Sequence, residues 1–211
     1  LLNAVAYSTA TSDFLPRLQS FEDNGYTYPK DRGFIFEQKL NKNLGQSLTK
    51  RLGDYRDPVY RGLAPMIIFS PTIVRENRRL LISSQPISYL TYTNDDRLLS
   101  DNIEFTRFFA NHDPFGLRIS SAVRLSATFP YILPTTHLPS KPEIKLIDAG
   151  GRDNQGNKIT YRYLFELREW INKNTSGVII LNIRDTEKKV GKTKKLDDRS
   201  IKTNVLSPIS L

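Results

Sequence analysis

A carboxylate that ends a short apolar run is the residue of this 211-residue chain best placed to do chemistry. The stretch reads Glu143-Ile-Lys-Leu-Ile-Asp148-Ala-Gly-Gly151-Arg-Asp-Asn154. Ile144, Leu146 and Ile147 predict a strand. Ala149, Gly150 and Gly151 predict a sharp turn, because glycine removes the Cβ restriction and lets the backbone pass close to another group. Asp148 is then expected at the carboxyl end of a strand, the edge at which open α/β sheets bind ligands. Taken alone, the stretch allows two roles for Asp148, a general base or the cap of an ordinary turn. The two histidines add less. His112 adjoins Asp113, but adjacent side chains seldom face each other, and a loop histidine is more often simply exposed. His137 lies between two prolines, and two separated histidines do not make a metal site. With no cysteine in the chain, disulfides and thiolate metal sites are excluded. No metal or organic cofactor is implied.

The elements that must position Asp148 can be read on either side of it. Small residues in Arg118-Ile-Ser-Ser-Ala122-Val-Arg-Leu-Ser126-Ala-Thr-Phe-Pro130 predict a helix over 119–128. Such a helix can approach a neighbouring sheet or a ligand closely. Upstream, Pro65-Met-Ile-Ile-Phe-Ser-Pro-Thr72 and Arg79-Leu-Leu-Ile-Ser-Ser84 predict a β-pair, with a strand at 66–69 and a turn at 75–78. Downstream, a helix is expected over about 158–173, burying Tyr161, Leu164, Phe165, Leu167, Trp170 and Ile171. It is followed by a buried parallel strand in Gly177-Val-Ile-Ile-Leu-Asn-Ile183. Residues 143–183 would thus form a right-handed βαβ unit. Near the beginning, Phe36, Leu40, Leu44, Leu48 and Leu52 recur every fourth residue, which predicts an amphipathic helix, with Gly45 as a candidate break. Leu1 to Tyr7 read as a strand or a helix end, and 21–30 as loop. A short helix is expected at 102–110.

Together, these segments resemble the patatin-like phospholipase family. Its A-x-R-x-S-A-x-x-P helix is matched by Ala122, Arg124, Ser126, Ala127 and Pro130. Its Asp-Gly-Gly turn is matched by Asp148, Gly150 and Gly151, with Ala149 as an insertion. Its paired strands are matched at 65–72 and 79–84. The resemblance covers about residues 30–183. It implies a three-layer α/β/α fold and lipid acyl hydrolysis by a Ser–Asp dyad, with Asp148 as the base and phospholipids as the leading substrate class. The nucleophilic serine of such enzymes sits in a G-x-S-x-G elbow. None occurs here, and Gly45-Gln-Ser47-Leu-Thr49 lacks the second glycine. The nucleophile and the glycine-rich oxyanion loop are therefore expected upstream of this chain, which would be N-terminally incomplete and inactive alone. The N-x-P that often follows the turn is replaced by Asn154-Gln-Gly156. The alternative is a catalytically inactive module of the same fold that serves binding or assembly.

Composition bounds the rest. The first residue is Leu1, which suggests a piece of a longer protein, or one whose early residues were removed or not seen. Residues 1–183 are expected to form one domain portion, 184–204 a basic flexible segment or surface loop, and 205–211 the start of a further element. If the first strands were missing, the strands at 66–69, 144–148 and 178–183 would lack neighbours. No apolar run approaches the length of a membrane span. The net charge of +9 permits attraction to phosphate, whether on nucleic acid or on an anionic bilayer. Eight lysines and arginines face four acidic residues within 184–202. No RNA-recognition, zinc-finger or helix-turn-helix signature is present, so no nucleic-acid partner is expected. Compartment is not legible beyond a possible membrane association through other parts of the protein.

Overall fold

The computed structural model describes residues 19–92, 101–129, 132–140 and 142–183. The expectations for 1–7, 184–204 and 205–211, and the position of Pro130, fall outside them. The chain divides into two compact units, 1–179 and 180–211. Of the second, only 180–183 are described, and they form neither helix nor strand.

The first unit is of mixed α/β type. Its described part begins with a β-hairpin, β1 Ser20–Asp23 and β2 Tyr26–Pro29, paired antiparallel. Residues 21–30, expected as loop, form this hairpin because Asn24 and Gly25 both take positive φ (53° and 78°). That backbone matches the twist of two-residue hairpin loops. Helix α1, Arg32–Asn43, follows. Asp31 caps it by accepting the Phe34 amide at 2.8 Å. Phe36 and Leu40 bury its apolar face. Gly45 and Gln46 both have positive φ and end the helical run, so Leu44 is left half-exposed while Leu52 is buried in a separate 3-10 turn. A short helix α2, Arg56–Tyr60, comes next.

The sheet is built from β3 Thr72–Ile73, β4 Arg78–Leu81, β5 Asn102–Glu104, β6 Thr136–Leu138 and β7 Ile144–Ile147. Their order is β5-β4-β3-β7-β6. Only β4–β5 is parallel; β3–β4, β3–β7 and β6–β7 are antiparallel. The expected βαβ unit over 143–183 does not form, because none of the strands of this sheet comes from 177–183. The short links β3–β4 and β6–β7 force antiparallel pairing, and the long link from β4 to β5 permits a parallel one. The hairpin at 65–84 is present, but within 66–69 only Phe69 pairs, through reciprocal bonds with Ile82. Strand β7 has a neighbour on each side, so it does not lack partners as expected. Residues 102–104 are strand rather than helix because they pair with β4; helix α3, Phe105–Phe108, starts after them.

Alternation along β4 divides the core. Leu80 and Ile82 point into a cluster with Phe105, Phe109, Ile119, Leu125 and Leu146. Leu81 points to the opposite face, against Ile87, Leu90 and Ile159. Helix α4, Ile119–Ser126, covers the first face. After a single turn, α5 Gly150–Asp153, the helices α6 Asn157–Glu166 and α7 Arg168–Asn174 complete the unit. The break at Leu167 changes the expected packing. Ile159 and Tyr163 face the sheet, whereas Tyr161 and Trp170 are exposed. The strand expected at 177–183 is absent: these residues form neither helix nor strand, and Ile179 is 96% exposed. Among the described residues no helix is long and apolar enough to cross a membrane.

Candidate functional site

Asp148 lies where the sequence places it, directly after β7 and part-exposed. Because β7 runs antiparallel to both neighbours, the ligand-edge argument for parallel sheets does not apply to it. The turn is fixed instead by the end of α4. The Asp148 amide donates to the Thr128 carbonyl at 3.0 Å, and the Ala149 amide to the Ser126 carbonyl at 3.1 Å. From the β3 side, the buried Thr72 hydroxyl donates to the Asp148 carbonyl at 3.1 Å. One carboxylate oxygen, Oδ1, accepts the Gly150 amide at 2.6 Å. The other, Oδ2, accepts no hydrogen bond among the described residues. A carboxylate oriented through one oxygen and open at the other can take a proton from a hydroxyl brought beside it.

The two glycines serve a purpose other than the expected one. Neither has positive φ; residues 150–153 are helical. Their role is space. A Cβ on Gly150 would lie 2.5 Å from Asp148 Oδ1, and one on Gly151 would lie 3.2 Å from the Thr72 hydroxyl oxygen. Close approach, not turn conformation, constrains both positions, Gly150 more tightly than Gly151.

The arginine of the α4 motif anchors that helix rather than facing Asp148. Arg124 is buried and donates to both oxygens of Asp31, at 3.0 and 2.8 Å, and more loosely to Glu37 at 3.4 Å. Glu37, itself buried in α1, also accepts the hydroxyls of Ser120 and Ser121. Thus Ser120 and Ser121 bind the carboxylate of a neighbouring helix, a packing role on α1 where the sequence suggested the sheet. Gly33 completes the arrangement, since a Cβ there would stand 2.1 Å from the guanidinium carbon.

The histidines belong to another place, a cavity of about 480 Å³ under the β1–β2 hairpin. His112 and His137 both line it, and Asp148 does not. His112 Nδ1 is 3.0 Å from the Tyr26 hydroxyl, while Asp113 takes the Asn24 amide at 3.0 Å, so the adjacent pair does not act together. His137 Nδ1 meets the Glu143 carboxylate. Among the described residues no group of three or more His, Asp or Glu is arranged to hold a metal ion. At the inner face of the hairpin, Asp23 binds Arg51 at 2.6 Å and Arg118 at 2.8 Å. Burial by itself would raise the Asp23 carboxyl, but hydrogen bonds from the two arginines and their charge hold it below its ordinary value. On the far side of the sheet, burial pushes the Tyr89 phenol up to about 12.

The hairpin residues Phe21, Asp23, Tyr26 and Tyr28 are absent from the sequence expectations. The signal was present: an Asn-Gly pair flanked by alternating residues, with aromatics at 21, 26 and 28. Comparison with family models, curated proteins and solved structures returns no match.

Proposed function

We propose that the protein carrying this chain is a patatin-like serine acyl hydrolase with the three-layer fold of that family, acting on lipid esters, with phospholipids as the leading substrates. Asp148 is its general base. One observation carries this reading. The two segments that resemble the family, the 122–127 helix motif and the Asp148 turn, are joined by direct backbone hydrogen bonds from Asp148 and Ala149 to Thr128 and Ser126. The motifs therefore form one structural feature rather than two separate coincidences.

In this reading, a serine outside the 211 residues gives its hydroxyl proton to Asp148 Oδ2 while its oxygen attacks the ester carbonyl. The tetrahedral intermediate collapses, the alcohol leaves with the proton, and an acyl-serine remains. Water, deprotonated by the same carboxylate, then releases the fatty acid and restores the serine. The excess of basic residues favours access to substrate at an anionic bilayer.

The test is fluorophosphonate labelling of the full-length protein beside its Asp148→Asn variant. Labelling of one serine that falls at least a hundredfold in rate in the variant is the expected result. A folded full-length protein that takes no label would overturn the proposal and leave a non-catalytic binding or assembly module.

A further inference from the structure

The cavity under the β1–β2 hairpin has a polarity opposite to that of the chain. The whole sequence carries +9, yet the lining of this hollow holds five carboxylates, two arginines and no lysine. The arginines are already committed. Arg118 pairs with Asp23, and Arg124 is shared between Asp31 and Glu37. Arg51, bound to Asp23, also reaches the remaining Asp113 with its charge, and Glu143 forms no ion pair with an arginine or lysine among the described residues. Asp113 is met by the Asn24 amide, and Glu143 by His137.

The second feature is a continuous arc of rings. Phe21 lies 5.5 Å from Tyr28, Tyr28 lies 6.5 Å from Tyr26, and Tyr26 lies 6.4 Å from His112. The arc continues from His112 to Phe109 at 5.9 Å and to Phe105 at 5.1 Å. All of these line the cavity. Ring faces attract weakly hydrated cations, and they cover carbon as well as charge. A bare metal ion is poorly matched to such walls, and no metal-binding arrangement occurs among the described residues. An anion would meet the excess of carboxylates.

We infer that this cavity is a binding site for an organic ammonium ion, a cation whose carbon-bearing substituents lie against the rings while Asp113 and Glu143 balance its charge. The site is separate from Asp148 and stands or falls independently of the hydrolase reading. Its volume of about 480 Å³ lies within the range of small-molecule sites.

The experiment is calorimetric titration of the whole chain with benzyltrimethylammonium, with benzyl alcohol as the neutral control and phenylacetate as the anionic one. The cation should bind at least tenfold more tightly than the alcohol, and phenylacetate should give no measurable heat. Two variants locate the site. Tyr26→Ala should weaken the cation at least fivefold. Glu143→Gln, at the half-exposed rim, should weaken it about threefold and keep the wild-type circular dichroism and melting profile. Tyr161→Ala, on an exposed ring outside the cavity, should change nothing. Equal affinity for cation and alcohol would reduce the hollow to an apolar pocket and overturn the inference. So would preference for phenylacetate, absence of binding, or cation affinity unmoved by Glu143→Gln. If Tyr26→Ala fails to fold, the Glu143→Gln comparison decides alone.

Discussion

At the Asp148 turn the chain is held by its backbone: two amides of the turn reach carbonyls at the end of α4, and one threonine hydroxyl closes the other side. Around the cavity, side chains do this work across long stretches of sequence. Asn24 meets Asp113 at a separation of 89 residues, Tyr26 meets His112 at 86, and Arg124 meets Asp31 at 93. Backbone bonds survive most substitutions, whereas a buried ion pair fails when either partner is removed. The cavity walls should therefore be the fragile region and the turn the tolerant one, although the turn carries the proposed chemistry.

Arg124→Ala is the strongest way to break that contrast. It leaves the buried Glu37 and the part-buried Asp31 without their shared cation. A loss of about 3–5 kcal/mol is expected for such an orphaned buried charge. Urea unfolding of the full chain measures it as a lowered midpoint. A loss under about 1 kcal/mol, the size of an exposed pair, would show that apolar packing and the Ser120 and Ser121 hydrogen bonds hold α4 on α1 without the arginine.

The two glycines that flank charged groups sharpen the comparison. Gly33→Ala drives a methyl into a guanidinium fixed on two sides, and about 1–3 kcal/mol should be lost. Gly150→Ala presses on the Asp148 carboxylate, which is part-exposed and can swing away. The loss there should be about 1 kcal/mol, one hydrogen bond. Thermal melts of the two variants side by side rank the regions directly, and the reverse order would overturn the assignment of rigidity.

Asp23 adds a pH signature confined to the cavity side. Its carboxyl is held below the unfolded value by Arg51 and Arg118. A depressed folded pKa contributes stability that is complete above the unfolded pKa and is lost as pH falls through the folded one. The stability difference between wild type and Asp23→Asn should be flat from neutral pH down to about 5, then shrink below about pH 4. A difference that does not change with acid would mean that the two arginines do not engage the carboxylate in solution.

The same contrast governs what could be read from the sequence. Strand β7, the Asp148 turn, α4 and the break at Gly45 were legible because their causes are local: apolar alternation, small residues, and a glycine with positive φ. The hairpin at 69–82 was legible for the same reason, though its pairing starts later than the apolar run. Strand direction was not legible. Leu80 and Ile82 look alike in parallel and antiparallel sheets, and only link lengths decide between them. The apolar run at 177–183 looked buried, yet Ile179 stands exposed, because apolarity records what a segment could bury and not what lies beside it. The cavity was least legible of all. Its carboxylates and rings come from three separate stretches, 21–37, 105–113 and the one around 143, and none of them signals the others.

Asp148→Asn should have the smallest effect on stability, and it separates the two roles that the sequence left open for this residue. Asparagine keeps an oxygen that can accept the Gly150 amide. The bonds to Thr128, Ser126 and Thr72 all use main-chain atoms of the turn and do not involve the substituted carboxylate. A change within about 0.5 kcal/mol is therefore expected, the range of surface substitutions away from special features. What asparagine loses is the ability to take a proton at Oδ2. A variant that melts like the wild type while serine labelling collapses would assign the carboxylate to chemistry. A variant that loses 2 kcal/mol or more would assign it to the turn, because a cap is missed by the fold and a base only by the reaction.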